Sequence, residues 1–341
     1  MRQIPTRHEG RSMRKVLEVR NLRTHFELVE GTVRAVDGVS FQLNEGEVLG
    51  IVGESGCGKS VTAQSIMRIL PKSARIVDGE ILFWNQQDVV DLTKLDSEGE
   101  QMRNIRGKDI AMIFQEPAAC FAPVYTVGEQ MIEAILLHED MSKQEARRLA
   151  LKMLEKVKIP NPESVLDRYS FQLSGGMLQR CMIAMALSLN PKVLIADEPT
   201  TALDVTIQAQ IIYLVNQLQK EYSSAIMWIT HDMGVIAQIS DRVAVMYLGQ
   251  IVETAPVKDL FRNPLHPYTR ALLRSIPRLA RRKKKLEAIK GVVPDPYNLP
   301  IGCRYHNRCD SFIQGLCDER EPTEVEVDVA HRVKCFLYGG R

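Results

Sequence analysis

The residues from Gly53 to Ser60 offer the clearest chemistry in the sequence, because they read GESGCGKS. Two glycines around four residues, followed by Lys-Ser, form the P-loop pattern, and an apolar stretch precedes it here. Glycines let successive backbone N–H groups point at phosphate oxygens, and a helix beginning at Lys59 adds the positive end of its dipole. The pattern predicts a nucleotide site made by Gly53, Ser55, Gly56, Cys57, Gly58, Lys59, Ser60 and Val61.

Lys59 and Ser60 have separate expected roles in that site. The ammonium group of Lys59 reaches the β and γ phosphates, and the hydroxyl of Ser60 binds Mg²⁺. The metal ion bridges the same phosphates and spreads the charge that develops during phosphoryl transfer. The sequence therefore predicts ATP and Mg²⁺ as the bound cofactors.

A pair of carboxylates ends a second apolar stretch, from Val193 to Glu198. In this layout Asp197 can hold Mg²⁺ through water, and Glu198 can face the water that attacks the γ-phosphate. A strand that ends in Asp-Glu is weak evidence alone. Downstream of a P-loop it predicts an ATP-hydrolysing site.

The segment Leu173-Ser174-Gly175-Gly176-Met177, shortly before that strand, resembles the signature motif of the ABC ATPase family. Three further positions agree with this family in the same order. Gln115 resembles the Q-loop glutamine, Asp204 of Ala-Leu-Asp resembles the D-loop aspartate, and His231 resembles the switch histidine. Taken singly, these would be read as a surface glutamine, a helix N-cap and a core histidine.

The resemblance implies a role for each of these residues. The catalytic residues are Glu198, His231 and Lys59, and the Mg²⁺ ligands are Ser60, Gln115 and Asp197. Two such domains close head to tail, so the signature residues contact ATP held by the P-loop of the partner. Phe26 resembles the aromatic residue that stacks on adenine in this family.

The apolar pattern predicts an α/β fold around these motifs. Partial alternation between residues 16 and 43 predicts antiparallel strands, whereas short apolar runs before Gly53 and near Val193 and Met227 predict buried parallel strands. Residues from about 115 to 180 are expected to be helical. The resemblance completes this picture as a P-loop NTPase ABC nucleotide-binding domain with an antiparallel β subdomain, a helical subdomain and a small C-terminal iron–sulfur extension.

Composition narrows the class of protein further. The chain has 341 residues, 25% of them charged, and its net charge is only +2, which does not favour nucleic-acid binding. The sequence shows neither an apolar run of about 18 residues nor the apolar core of a signal peptide, so we expect a cytoplasmic location. A flexible tail is predicted at residues 1–12, the nucleotide-binding domain at 13–260 and the extension at 261–341.

The extension is expected to bind a metal cofactor, because four of the seven cysteines lie in it. Cys303, Cys309, Cys317 and Cys335 are spaced C-x5-C-x7-C-x17-C, and four thiolates suit iron–sulfur clusters or structural zinc. The residues from Asn263 to Pro277 resemble the C-terminal extension of oligopeptide and dipeptide importer ATPases. This resemblance favours a [4Fe-4S] cluster, with zinc or four unliganded thiols as alternatives.

The resemblance also implies a function and a set of partners. The expected protein is the ATPase subunit of a peptide importer, peripheral at the cytoplasmic face of the membrane. Its partners are a paralogous ABC ATPase subunit in a heterodimer, two transmembrane permease subunits and an extracytoplasmic substrate-binding protein. Uptake of nickel complexes or oligosaccharides, or a soluble ABC ATPase without a transport role, are the alternatives.

Overall fold

The computed structural model describes residues 14–85, 88–201, 204–276 and 289–339. Strands within these ranges form two sheets. In chain order they are β1 (Lys15–Leu28), β2 (Gly31–Asn44), β3 (Val48–Val52), β4 (Ala74–Asn85), β5 (Asp88–Asp91), β6 (Ile110–Ile113), β7 (Val193–Asp197), β8 (Ala225–Thr230), β9 (Arg242–Tyr247), β10 (Gln250–Pro256), β11 (Glu324–Asp328) and β12 (His331–Lys334). The predicted tail at residues 1–12 lies outside the described residues.

The helices of the described ranges flank these sheets. They are α1 (Lys59–Met67), α2 (Glu100–Ile105), α3 (Pro117–Cys120), α4 (Val127–Leu136), α5 (Lys143–Lys156), α6 (Pro162–Leu166), α7 (Gly175–Leu187), α8 (Val205–Tyr222), α9 (Met233–Ile239), α10 (Val257–Arg262) and α11 (Pro267–Arg274). None of these helices is both long and apolar enough to cross a bilayer.

The larger sheet has the strand order β11-β12-β10-β9-β3-β8-β7-β6, and β9, β3, β8, β7 and β6 are parallel. All five residues of β3 are buried. Val48 and Val52 join the core beneath the helices, whereas Leu49 and Ile51 join the core beneath the smaller sheet. The predicted parallel α/β sheet is therefore confirmed, and a continuous apolar run suits a strand covered on both faces.

The smaller sheet has the order β2-β1-β4-β5, with antiparallel pairing throughout. Leu17, Val19 and Leu22 are buried, and charged side chains such as Arg20 are exposed. This alternation is the pattern of a strand with one buried face, and it confirms the antiparallel strands predicted from residues 16–43.

Helices α3 to α7 occupy most of the region predicted to be helical. Two of them begin with a capping box, Thr126 with Glu129 in α4 and Ser142 with Glu145 in α5, and each box satisfies two backbone N–H groups. On α5 the apolar residues Ala146, Ala150, Met153 and Leu154 are buried. The helical structure predicted for this region is therefore confirmed, and the buried apolar face of α5 is that of an amphipathic helix.

The chain beyond residue 260 adds two strands to the larger sheet. Strand β12 pairs antiparallel with β10, where Val333 lies opposite Glu253, and β11 pairs with β12. Aromatic contacts also connect this part of the chain to the sheet. The ring centre of Tyr247 on β9 lies 4.6 Å from that of Tyr268 and 5.2 Å from that of Tyr305. The domain boundary near residue 260 stays a prediction, and helix α10 runs across it.

Candidate nucleotide-hydrolysing site

The P-loop lies between the end of β3 at Val52 and the start of α1 at Lys59. Its close packing requires glycine at two positions. A Cβ at Gly53 would lie 2.2 Å from the carbonyl oxygen of Met246, and one at Gly58 would lie 2.2 Å from that of Ala35. Gly58 also has φ of +101°, which side-chain-bearing residues rarely adopt. The glycine spacing seen in the sequence therefore reflects contact with the strands behind the loop.

Lys59 is buried at the first turn of α1. Its ammonium group donates hydrogen bonds to the carbonyl oxygens of Gly53 at 2.9 Å and Glu54 at 3.0 Å. The charge therefore lies over the loop, at the helix end that favours anions. This is the position from which a lysine can meet the phosphates of a nucleotide.

Ser60, which follows β3, and Asp197, the last residue of β7, come together at one edge of the larger sheet. The hydroxyl of Ser60 donates to Oδ1 of Asp197 at 3.0 Å. Burial raises the pKa of the Asp197 carboxyl, and the neighbouring charge of Glu198 raises it further, while the Ser60 hydrogen bond opposes both. A divalent cation would stabilise the carboxylate here, and hydroxyl and carboxylate oxygens are the ligands that Mg²⁺ prefers.

Glu198 receives three polar groups on a single oxygen. Thr201 Oγ1 donates to Oε2 at 2.8 Å, Gln115 Nε2 donates at 3.5 Å, and His231 Nδ1 lies 3.3 Å away. The backbone of Glu198 has φ of +45°, in the left-handed region, while its N–H still bonds to the carbonyl of Ile229. Such strain costs roughly 1–3 kcal/mol and is common where a side chain must point into a reactive site.

The sequence predicted three of these four residues but not Thr201. Its spacing, three residues after Glu198, was a possible signal, because a hydroxyl at that distance can reach back across a turn. Threonine is common in turns, so the spacing alone is weak evidence. In the structure Thr201 orients the carboxylate that the sequence assigned as the base.

The signature residues lie apart from the P-loop of the same chain. Helix α7 begins at Gly175, with Ser174 as its N-cap, and both residues are exposed. Among the described residues, no hydrogen bond or ion pair connects residues 173–177 with residues 53–60. The exposed start of a 13-residue helix is suited to an anion brought by another molecule.

One of the predicted residues, Asp204, has a local structural role. Asp204 caps helix α8 by accepting hydrogen bonds from the N–H groups of Thr206 at 3.0 Å and Ile207 at 2.9 Å. The rest of the predicted D-loop, residues 202 and 203, lies outside the described residues. Phe26 is half-buried on β1, opposite Val33, and its stacking on adenine stays a prediction.

The four cysteines of the extension line one small cavity together with His266, Tyr305, His306 and Phe336. The N–H of Cys303 bonds to the carbonyl of Cys317 at 2.8 Å, and burial raises the pKa of the Cys303 thiol to about 12. Nevertheless, within the described ranges no group of three or more His, Cys, Asp or Glu side chains is arranged to hold a metal ion. The structure thus brings the cysteines together without showing the predicted metal centre.

A contact that the sequence did not predict joins this extension to the P-loop. Arg308 places both terminal nitrogens of its guanidinium group on the carboxylate of Glu54, at 2.7 and 3.0 Å. The hydroxyl of Tyr268 accepts a hydrogen bond from the N–H of Glu54 at 2.9 Å. Sequence patterns give no direct signal for partners 254 residues apart.

The geometry defines the class as a P-loop nucleotide hydrolase, because a P-loop, an Asp-Glu pair and a histidine meet at one edge of a parallel sheet. Residues 36–201 match the family model described as ABC transporter, and residues 252–317 match the oligopeptide/dipeptide transporter C-terminal region. The chain therefore belongs to the ABC transporter family, and its site is that of an ATPase.

Curated relatives and a solved structure agree with this family. The chain is 50% identical over 323 residues to a probable peptide ABC transporter ATP-binding protein, y4tR, of Sinorhizobium fredii, covering 94% of each chain. It is 50% identical to the dipeptide transport ATP-binding protein DppD of Bacillus subtilis, covering 96% of each. The dimeric ATP-binding cassette MJ0796 bound to ADP and Pi is 27% identical with a TM-score of 0.63, covering 71% of this chain and 98% of that one.

Proposed function

We propose that this chain is the ATP-hydrolysing subunit of an ABC importer for peptides. The observation that carries the motor function is the convergence of Gln115, Thr201 and His231 on the carboxylate of Glu198. The peptide branch is supported by the matched C-terminal region and by relatives whose names specify peptide or dipeptide transport.

In the proposed mechanism, the P-loop and Lys59 would bind the phosphates of ATP, and Ser60 with Asp197 would hold Mg²⁺. The metal ion, when bound, neutralises charge on the β and γ phosphates. Glu198 orients and polarises the attacking water, while Thr201 fixes the position of its carboxylate. The side chain of His231 is half-exposed beside Glu198, and from there it would contact the γ-phosphate.

The ATPase site is completed by a second ATPase subunit, which we propose to be a paralogue. Ser174 and Gly176 would contact ATP in the partner's P-loop, and their separation from residues 53–60 supports action between chains. Affinity purification of the tagged chain with its membrane partners tests the heterodimer. Recovery of a second ATPase sequence supports it, and recovery of this ATPase alone overturns it.

An apolar groove supports the proposed contact with two permease subunits at the cytoplasmic face of the membrane. The groove is lined by residues in or next to α1, β6 and α7. They include Met67, Met112, Phe114, Met182, Met185 and Leu189. Methionine side chains adapt to varied apolar partners, and an amphipathic helix is a common occupant of such a groove. Phe114 of this groove directly precedes Gln115, whose side-chain amide donates to Glu198 at 3.5 Å, which supports coupling between the groove and the ATPase site.

We further propose that Cys303, Cys309, Cys317 and Cys335 hold a [4Fe-4S] cluster. All four line one cavity, which supports a shared ligand. Four thiolates suit a [4Fe-4S] cluster or structural zinc, and the resemblance of this extension to that of peptide importer ATPases favours the cluster. When bound, the cluster would tie the extension together.

Anaerobic purification with iron, sulfide and zinc analysis tests this assignment. We expect about four irons and four sulfides per chain, and a broad visible absorption that disappears in a Cys309→Ser variant. Zinc in place of iron, or a metal-free protein from anaerobic cells, would exclude the cluster.

Transport measurements test the peptide assignment. The complete transporter would be reconstituted in vesicles with its extracytoplasmic binding protein. ATP-dependent uptake of a labelled peptide is expected, and it should be lost with Lys59→Ala. Uptake restricted to nickel complexes or oligosaccharides would assign another cargo, and ATP hydrolysis independent of any membrane protein would favour the soluble alternative.

A further inference from the structure

The contact between the extension and the P-loop is a partly buried, bidentate ion pair. The Arg308 side chain is only 3% exposed, and its Nη1 and Nη2 atoms lie 2.7 and 3.0 Å from the two carboxylate oxygens of Glu54. Two parallel charge-assisted hydrogen bonds fix the direction of a carboxylate as well as its distance. Arg308 therefore restrains the orientation of Glu54.

Arg308 is itself held from several sides. Its Nε donates to the carbonyl of Lys290 at 2.8 Å, and Nη1 also donates to the hydroxyl of Tyr247 at 3.3 Å. The guanidinium group lies 5.8 Å from the ring centre of Tyr247 and 5.9 Å from that of Tyr305. A guanidinium fixed by hydrogen bonds and by aromatic faces loses little further entropy when it binds a carboxylate.

Glu54 is restrained at three different groups. Arg308 binds its carboxylate, the hydroxyl of Tyr268 accepts from its N–H at 2.9 Å, and Lys59 donates to its carbonyl oxygen at 3.0 Å. Two of these partners belong to the chain beyond residue 260. The loop that cradles phosphate therefore takes part of its shape from the extension.

We infer that Arg308 and Tyr268 are positioning residues for ATP binding, through which the C-terminal extension sets the conformation of the P-loop. The inference rests on the proposed ATPase function but not on the cysteine cluster. Neither residue needs to contact nucleotide, because both act through Glu54. Their loss should weaken ground-state binding of ATP more than the chemical step, since Glu198 and His231 lie on other loops of the site.

The placement of a second arginine agrees with this role. Arg304 is buried and pairs with Asp37 on β2, and it also donates to the carbonyl of Leu248. The adjacent Gly249 donates to the carbonyl of Cys57 in the P-loop at 2.9 Å. Arg304 follows Cys303 and Arg308 precedes Cys309. The segment that lines the cysteine cavity therefore contacts both the P-loop, at Glu54, and the turn at Leu248 that bonds to the P-loop.

The test compares Arg308→Gln, Arg308→Lys and Glu54→Gln with Arg332→Gln, in the purified transporter. Arg332 belongs to the same extension, but its side chain is half-exposed and pairs with Glu326 at 3.4 Å on the surface. The measurements are the affinity for a fluorescent ATP analogue with Mg²⁺, and the KM and kcat of ATP hydrolysis.

We expect Arg308→Gln and Glu54→Gln to weaken nucleotide binding and raise KM by about tenfold or more, because a charge-assisted pair is lost. Arg308→Lys should recover part of the affinity, kcat should change little, and Arg332→Gln should match the unmodified chain. The double variant Arg308→Gln with Glu54→Gln should be no worse than either single variant. Tyr268→Phe removes only a hydroxyl and should weaken binding by a smaller factor.

Unchanged affinity and KM in Glu54→Gln and Tyr268→Phe would overturn the inference even if Arg308→Gln failed to fold. Equal losses of kcat and affinity in all variants, with a lower melting temperature, would also overturn it, since that result indicates general damage. If the unmodified chain and a Lys59→Ala variant bound nucleotide equally poorly, the proposed ATPase function would fail instead.

Discussion

The imidazole Nδ1 of His231 lies 3.3 Å from Oε2 of Glu198, so the proposed switch histidine and the proposed catalytic carboxylate are neighbours within one chain. His231 directly follows strand β8 and Glu198 directly follows strand β7, and these strands pair in parallel. The carboxyl ends of parallel strands meet at one edge of a sheet, which is where α/β proteins place their ligands. The sheet alone therefore brings the two side chains together.

The first prediction concerns Glu198→Gln. Glutamine has nearly the same shape and can still accept the hydrogen bond of Thr201 at its oxygen, but it cannot take a proton from water. We expect ATP binding to persist while hydrolysis falls by about a hundredfold or more. Phosphate release and nucleotide affinity in the full transporter provide the measurement.

Thr201→Val provides a graded comparison, because it removes the 2.8 Å hydrogen bond and leaves the carboxylate in place. Its rate should lie between those of Glu198→Gln and the unmodified chain. Hydrolysis at the normal rate in Glu198→Gln would mean that another group acts as the base or that the partner's site carries turnover.

The second prediction concerns the hydroxyl that faces Asp197. Ser60→Ala removes a proposed Mg²⁺ ligand and the 3.0 Å hydrogen bond to the carboxylate. We expect the Mg²⁺ concentration needed for half-maximal hydrolysis to rise by about tenfold, because one oxygen ligand is lost. Ser60→Thr keeps the hydroxyl and should keep the Mg²⁺ dependence. If both variants responded to Mg²⁺ like the unmodified chain, Ser60 would not be a ligand.

The third prediction concerns the backbone of the P-loop. Gly58→Ala forces a Cβ to within 2.2 Å of the Ala35 carbonyl at a φ of +101°, so the loop must move. We expect nucleotide binding to fall below detection while the melting temperature changes little. Gly56→Ala is the matched control for φ, because Gly56 has φ of +79° but a Cβ there meets no atom within 4 Å. Equal binding by the two variants would show that the steric contact is unimportant.

The sequence predicted much of the ATPase site because its parts are local motifs attached to recognisable strands. The segment Gly53–Ser60 follows β3, Asp197 ends β7 and Glu198 comes next, so identifying the strands was enough to place these residues near one another. Continuous apolar runs are typical of parallel strands, and parallel pairing places the carboxyl ends of these strands at the same edge of the sheet.

The extension was predicted less well, because its contacts are distant in sequence and have no period. Strands β11 and β12 are short, and β12 pairs with β10, a partner about 80 residues away in the sequence, while β11 pairs with β12. Glu54 sits at a P-loop position where any residue satisfies the motif, so nothing in the motif pointed to Arg308. Burial of the arginine and its two bonds emerges only from the folded chain.

The last prediction concerns a buried ion pair that supports β3. Glu47, just before this strand, has a side chain only 2% exposed and accepts from Arg242 Nε at 2.6 Å and from the side-chain amide of Asn44 at 2.7 Å. Arg242→Leu would leave the carboxylate buried without its cation, so we expect a loss of about 3–5 kcal/mol in the free energy of unfolding. Arg147→Leu breaks an exposed pair with Asp167 and should cost at most about 1 kcal/mol. Chemical denaturation of the three proteins under one set of conditions measures the difference. Equal stability of the two variants would show that water reaches Glu47 and that the pair contributes no more than a surface contact.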